Sequence, residues 1–136
     1  MKKLIPLILI LLVFSCAKQN TTQAIFERAS MRHKVPLHIL YAVAQKETRF
    51  NHNFRGTSGE IGMMQIMPYH VKRCRCNLRD LACNVNCGAS YIRNQYERNY
   101  SISDALARYN AGWYGERSAV GRKYAQDVLT IAKEYT

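Results

Sequence analysis

Pro36-Leu37-His38-Ile39-Leu40-Tyr41-Ala42-Val43-Ala44-Gln45-Lys46-Glu47-Thr48 is the stretch on which the reading of this chain turns. Proline has a fixed φ suited to a first helical turn and no N–H to leave unpaired there, so Pro36 opens a helix rather than interrupting one. At about 100° per residue, Ile39, Val43 and Glu47 fall along one stripe, with Leu40 and Ala44 beside them. The segment 36–48 therefore reads as an amphipathic helix whose apolar arc contains a carboxylate. That placement is costly for an ordinary surface glutamate, because burial disfavours its charged form.

Outward from this helix, the pattern stays helical. Upstream, 24–34 has helix-forming composition with Ile25, Phe26 and Ala29 on one side, and Pro36 separates it from the helix over 36–48. Downstream, 50–62 carries Gly56, Gly59 and Gly62 among Asn51, Asn53, Thr57 and Ser58, and reads as a loop or small β-excursion. The apolar stretch 61–71 is expected to hold a short helix ended near Pro68. Val85, Ala89, Ile92 and Tyr96 recur at helical spacing over 83–98, and Ser101-Ile102-Ser103-Asp104 resembles a capping box opening a helix over 104–110, ended by Gly112. A last helix over 118–133 has Val120, Tyr124, Val128 and Ile131 as its expected apolar side. Without a long period-2 run, an internal repeat or a low-complexity tract, the expectation is a compact, mostly helical domain over 22–136.

The length, 136 residues, accommodates one domain with short tails. With 48% hydrophobic and 21% charged residues, the composition excludes general disorder and a polytopic membrane protein. The formal net charge of +11 predicts attraction to an anionic partner: nucleic acid, a lipid surface or a cell-wall polymer.

Lys2 and Lys3 precede an apolar run over 4–14 broken only by Pro6, far short of the about 20 residues a membrane span needs. Residues 1–15 thus read as an export signal. Its end, Val13-Phe14-Ser15-Cys16, resembles a bacterial lipobox, although Phe14 is bulkier than the pattern usually carries. Cys16 is then the lipidated N-terminus and 16–21 a tether. Ala17, rather than Asp, follows it, which favours the outer membrane of a Gram-negative cell. Of the five cysteines, Cys74, Cys76, Cys83 and Cys87 remain, an even set within one loop of an exported chain, which reads as two disulfides with three connectivities. A Cys74–Cys76 ring would be very tight, so each is expected to bond to Cys83 or Cys87. Zinc, with His70 as a further ligand, is the weaker alternative, since the spacing lacks paired Cys-x-x-Cys. The bridges are expected to be structural: Lys72, Arg73, Arg75 and Arg79 crowd like charge into a stretch that apolar burial alone would not collapse.

Four segments, in order, carry a resemblance. Ala42-Val43-Ala44-Gln45-Lys46-Glu47-Thr48-Arg49-Phe50-Asn51 is similar to Glu-Ser-x-Phe-Asn with Thr48 in the serine position. Gly59-Glu60-Ile61-Gly62-Met63-Met64-Gln65-Ile66-Met67-Pro68 is similar to Gly-Ala-x-Gly-Leu-Met-Gln-x-Met-Pro. Asn84-Val85-Asn86-Cys87-Gly88-Ala89-Ser90-Tyr91-Ile92 matches Asn-Ile-x-x-Gly-x-x-Tyr-Leu. Ala105-Leu106-Ala107-Arg108-Tyr109-Asn110-Ala111-Gly112 is close to Ala-Leu-Ala-x-Tyr-Asn-Ala-Gly, with Tyr124 and Val128 downstream. Together they resemble the catalytic domain of lytic transglycosylases of the soluble, goose-type-lysozyme-like family, within the α+β lysozyme-like superfamily. Three departures stand out: Glu60 replaces a small alanine, Gly56 aligns with a serine, and the loop after Pro68 has gained the cysteines. An acid at position 60 resembles small family members attached to secretion and conjugation machines.

The resemblance implies cleavage of the β-1,4 bond between N-acetylmuramoyl and N-acetylglucosaminyl sugars of peptidoglycan, leaving 1,6-anhydro ends. It makes Glu47 the catalytic acid, has Tyr109 hold Glu47 or the reacting sugar, and lines the groove with Thr48, Gln65, Met67 and Asn110. It implies no cofactor and no metal, a monomer in the periplasm, and glycan strands as partner, with a lipid anchor and a secretion or conjugation apparatus as further partners. Other readings stand beside it. Glu47 could be a buried acid paired with Arg49 or Arg108, the Met63, Met64 and Met67 cluster could be packing, and Glu60 could be the second carboxylate of a hydrolase. A non-catalytic wall-binding module would keep the fold, and an export signal argues against a nucleic-acid binder. His33, His38, His52 and His70 are dispersed and claim no role.

Overall fold

The five longer helices each begin where a short polar side chain, or proline, can satisfy or replace the first free N–H groups. A computed structural model describes residues 21–98 and 100–136; the export signal, Cys16 and residues 17–20 of the tether lie outside the described residues. Helix α1 (Thr22–His33) is capped by Thr21 Oγ1, which accepts from the Ala24 N–H at 3.2 Å, and buries Ile25, Phe26 and Ala29. Helix α2 (Leu37–Thr48) follows Pro36 and buries Ile39, Leu40, Ala42, Val43 and Ala44. A one-turn helix α3 (Val71–Cys74) lies in the cysteine loop, after a 3₁₀ turn over Pro68–His70. Helix α4 (Leu81–Tyr96) is capped by Asp80, α5 (Ile102–Ala111) by a full Ser101–Asp104 capping box, and α6 (Ala119–Ala132) by Ser118. Two further 3₁₀ turns cover Gly115–Arg117 and Lys133–Tyr135.

Helix α2 packs between α1 and α6, α4 rests on α1 and α5, and α5 lies along α6. Phe26, Leu40, Val43, Met64, Val85, Ile92, Leu106 and Val128 fill the centre without solvent contact. The tight α5–α6 crossing depends on missing side chains. A Cβ on Gly121 would overlap the Gly115 carbonyl oxygen and lie 2.9 Å from that of Ala107, so the last helix approaches backbone to backbone. This shifts the buried face of α6 at its start: Tyr124 and Val128 point inward as expected, joined by Gly121, Ala125 and Ala132, and Ile131 packs on the core, while Val120 is 70% exposed.

A second correction concerns 61–71. The apolar run is not a helix: Ile61 makes isolated antiparallel bridges to Arg55 and Ile66, and Pro68 starts a 3₁₀ turn instead of ending one. The apolar side chains are explained by burial of a turn, since Met63, Met64 and Ile66 all reach the core. Asn84, fully buried on α4, sets this turn. Its Oδ1 accepts from the Met64 N–H at 2.8 Å, and its Nδ2 donates to the carbonyls of Ile61 at 2.8 Å and Leu78 at 3.0 Å. His52 adds a clamp by accepting from the Met63 N–H on Nδ1, which leaves Nε2 to donate to the Arg79 carbonyl at 2.7 Å.

The cysteines pair as nested bridges, Cys74 with Cys87 and Cys76 with Cys83, with Cα separations of 5.5 and 6.0 Å. They fasten α3 and the basic loop onto the first half of α4. Among the described residues no helix is long and apolar enough to cross a membrane, and no group of three His, Cys, Asp or Glu side chains could hold a metal ion.

Candidate active site

Glu47 stands in the last turn of α2, whose end is drawn tight by two consecutive left-handed residues, Arg49 at φ 53° and Phe50 at φ 63°. Side chains rarely adopt that region, and such conformations gather where the surrounding structure fixes a site. The Glu47 Oε1 atom accepts a 2.5 Å hydrogen bond from the Tyr124 hydroxyl on α6. Burial lifts the Glu47 carboxyl above the usual carboxylate range; the Tyr124 bond partly offsets this, the nearby Glu60 charge adds to it, and Lys46 opposes it. The carbonyl end of α2 also disfavours negative charge there. Glu47 is thus biased toward the protonated acid.

Among the described residues Glu47 forms no ion pair. Arg108, one of the two candidate partners for it, is directed elsewhere: its Nε donates to Glu116 Oε2 at 2.8 Å and its Nη2 to the Tyr100 hydroxyl at 2.7 Å. Lys46, beside Glu47 in sequence, is held by Asp127 at 2.9 Å.

Tyr109 does not grip Glu47. Its hydroxyl donates to the Met64 carbonyl at 2.5 Å, while its ring stacks on Tyr124 with centroids 6.5 Å apart and an 18° interplanar angle. Of the two roles expected of Tyr109, holding Glu47 falls to Tyr124, and Tyr109 stands on the groove wall where the other, holding the reacting sugar, would be exercised. Both phenols are pushed well above their ordinary range, first by burial and next by the Glu47 charge, so both remain protonated donors.

Gln65, Met67, Tyr109 and Asn110 line one groove, together with His70, Arg73 and the Cys74–Cys87 bridge. Gln65 holds a left-handed φ of 49° and donates through Nε2 to the Gly62 carbonyl at 2.8 Å, which aims its amide oxygen away from that loop bond. Thr48 is not on this wall: its hydroxyl is within bonding range of the carbonyls of Met63, at 3.0 Å, and Ala44, at 3.3 Å, and ties α2 to the turn. Glu47 itself does not line this groove; it bonds Tyr124, whose ring stacks on Tyr109 of the groove wall.

The two departures at Gly56 and Glu60 prove to be one feature. A Cβ on Gly56 would overlap Glu60 Oε2 and come within 2.7 Å of Gln65 Oε1, so the Glu60 carboxylate occupies the space a side chain at 56 would need. That carboxylate accepts from the Ser58 N–H at 3.0 Å. The two positions therefore share one volume: a side chain at 56 would displace the flexible end of Glu60 from it.

This helical frame, with an uncharged-leaning glutamate at a helix end beside an aromatic and amide-lined groove, defines the lysozyme-like class of glycan-cleaving enzymes. Residues 24–131 match the family described as "Transglycosylase SLT domain", and the chain belongs to it: it is a peptidoglycan lytic transglycosylase. Among curated relatives, "Invasion protein IagB" of Salmonella typhi is 31% identical over 114 residues, 74% of this chain and 70% of that protein. "Protein IpgF" of Shigella sonnei is 30% identical over 125 residues, covering 80% and 82%. The soluble lytic murein transglycosylase of Escherichia coli K12 is 31% identical over 101 residues, 65% of this chain but 16% of that enzyme. The fold matches the 70 kDa soluble lytic transglycosylase crystal structure from Escherichia coli with a TM-score of 0.68 at 25% identity, over 82% of this chain and 23% of that one. The chain therefore corresponds to a fraction of that larger protein's length.

Proposed function

We propose that Glu47 is the single catalytic carboxylate of an enzyme that cuts the β-1,4 bond after the muramoyl sugar and leaves a 1,6-anhydro end. The observation that carries this reading is the state of Glu47: half-buried, unpaired with any cation among the described residues, raised toward protonation and oriented by Tyr124. As acid it gives its proton to the leaving glycosidic oxygen while the C1–O bond breaks, with the sugar's own N-acetyl oxygen holding C1 from the other side. As the resulting carboxylate it takes the proton from the 6-hydroxyl, whose oxygen bonds to C1 as the N-acetyl oxygen leaves. No water is consumed. Gln65, Met67, Tyr109 and Asn110 line the glycan groove, and Thr48 contributes by fixing the end of α2.

The hydrolase alternative would need Glu60 free to activate water, but its carboxylate is bonded to the backbone of its own loop. The deciding experiment is mass spectrometry of muropeptides released from purified sacculi by the wild type, Glu47→Gln and Glu60→Gln. Anhydro products, about a ten-thousandfold or greater loss with Glu47→Gln, and a far smaller loss with Glu60→Gln support the reading. Reducing-end products, or equal inactivation by both changes, refute it.

The surroundings belong to the same proposal. A Cys16 lipid would anchor the domain, as a monomer, to the periplasmic face of the outer membrane, and residues 22–136 form the catalytic domain. Service to a secretion or conjugation apparatus is supported by the acid at position 60 and by kinship to a protein named for invasion. Membrane fractionation of Cys16→Ser, which should be released, tests the anchor.

A further inference from the structure

The groove does not end at Arg73 and Tyr91. These two residues also line a second cleft of about 550 Å³, which continues past Gln95 to Arg98 and Trp113. The two exposed guanidiniums in this cleft are each backed by an aromatic ring: Arg73 lies 5.1 Å from the Tyr91 centroid and Arg98 5.1 Å from that of Trp113. Neither has an ion-pair partner among the described residues. Their cationic neighbours do: Arg93 is held by Glu97 at 2.9 Å and Arg108 by Glu116 at 2.8 Å. Glu97, the one carboxylate on the cleft wall, is thereby engaged. Arg73 is further fixed by its place in α3 beside the Cys74–Cys87 bridge.

Guanidiniums supported on ring faces keep their edge donors directed outward at little rotamer cost, which suits bidentate capture of carboxylates. Neutral glycan backbone offers them nothing comparable, whereas peptide stems hanging from muramoyl sugars carry free carboxylates. We propose that Arg73 and Arg98 form a carboxylate-binding subsite for the peptide stems, making stem charge a specificity determinant of this enzyme. The inference rests on the peptidoglycan reading of the adjoining groove.

The test compares kcat/KM on purified glycan strands bearing native stems with the same strands after the stem carboxylates have been converted to amides. Four proteins are assayed: wild type, the single variants Arg73→Gln and Arg98→Gln, and their double variant. The wild type should favour native strands at least about tenfold, mostly through KM, and the double variant should lose that preference, with the single variants between. Arg28→Gln, which removes equal charge from α1, should retain the wild-type ratio. A wild-type preference below twofold, an unchanged preference in the double variant, or an equal loss in Arg28→Gln overturns the subsite. Product release from neither substrate by the wild type instead refutes the enzyme reading on which the subsite depends. All substituted side chains are exposed or half-exposed, so folding should be preserved, which circular dichroism checks.

Discussion

Replacing Asn84 by alanine should be among the most damaging single changes outside the apolar core. Its side chain is fully buried and makes three hydrogen bonds, to the Met64 N–H and to the Ile61 and Leu78 carbonyls. The Met64 N–H and the Leu78 carbonyl lose these partners, while the Ile61 carbonyl keeps the Ile66 N–H at 3.0 Å; at about 1–3 kcal/mol for each unpaired buried group, with the lost packing added, we expect about 3–5 kcal/mol in total. For a domain of this size that corresponds to a fall in Tm of roughly 12–20 °C. Urea denaturation of the wild type, Asn84→Ala and Asn84→Leu measures it, with the midpoint moving and the slope unchanged. Leucine refills the volume but not the bonds, so it should recover little. Both variants lying within about 1 kcal/mol of the wild type, or leucine restoring stability, would show that the turn over 61–67 is held by packing and that hydrogen bonding to Asn84 is incidental.

Further expectations concern the site and the crossing. Tyr124→Phe removes the bond that favours charged Glu47, so the Glu47 carboxyl rises further; the alkaline limb of the pH–rate profile, where the acid is lost, should move to higher pH as the rate falls. Glu47→Gln should make the folded protein more stable at neutral pH. The reason is that burial raises the native carboxyl above its unfolded value: its penalty is absent below the ordinary glutamate range and complete above the raised folded value, so the stability gap should close as pH falls, as read by denaturation across pH. Gly121→Ala should destabilise by about 3 kcal/mol or more, because its Cβ meets two backbone carbonyls that cannot step aside; a loss under 1 kcal/mol in thermal unfolding would show that α6 slides freely on α5.

The helices are legible where local chemistry fixes them. Pro36, the Ser101–Asp104 box and the Ile39–Val43–Glu47 stripe each act within a few residues. Legibility fails where a partner distant in sequence decides. The run over 61–67 reads as helix by hydrophobicity alone, and partners distant in sequence make it a turn, chiefly Asn84, 20 residues beyond Met64, with His52 and Thr48 on Met63. A helical wheel turns Val120 inward because it counts apolar side chains, while the crossing selects the position with none, Gly121. Within the site, Glu47, Gln65, Met67, Tyr109 and Asn110 are identifiable by segment, but the role of Tyr124 is hidden in an apolar stripe, where a hydroxyl looks like one more packing residue. The signal is present: a phenol in a stripe facing a buried acid needs an acceptor. Three cysteine pairings stay open in the sequence, because spacing alone does not say which parts of a loop fold back on each other.

Three consecutive residues at the end of α2 reach across the molecule to its far end in sequence. Gln45 accepts from the Tyr135 hydroxyl, Lys46 binds Asp127, and Glu47 accepts from Tyr124, 77 residues away. On the reading of Glu47 as proton donor proposed above, that donor is oriented only once the last helix has docked, and opening that dock should undo the alignment. Amide exchange in α2 and α6 should then proceed in one cooperative unit with catalysis, leaving no frayed species that still cuts. A cleavage between 124 and 127, within the last helix, should disturb the alignment of Glu47 without touching the groove, which a loss of activity with intact glycan binding would report.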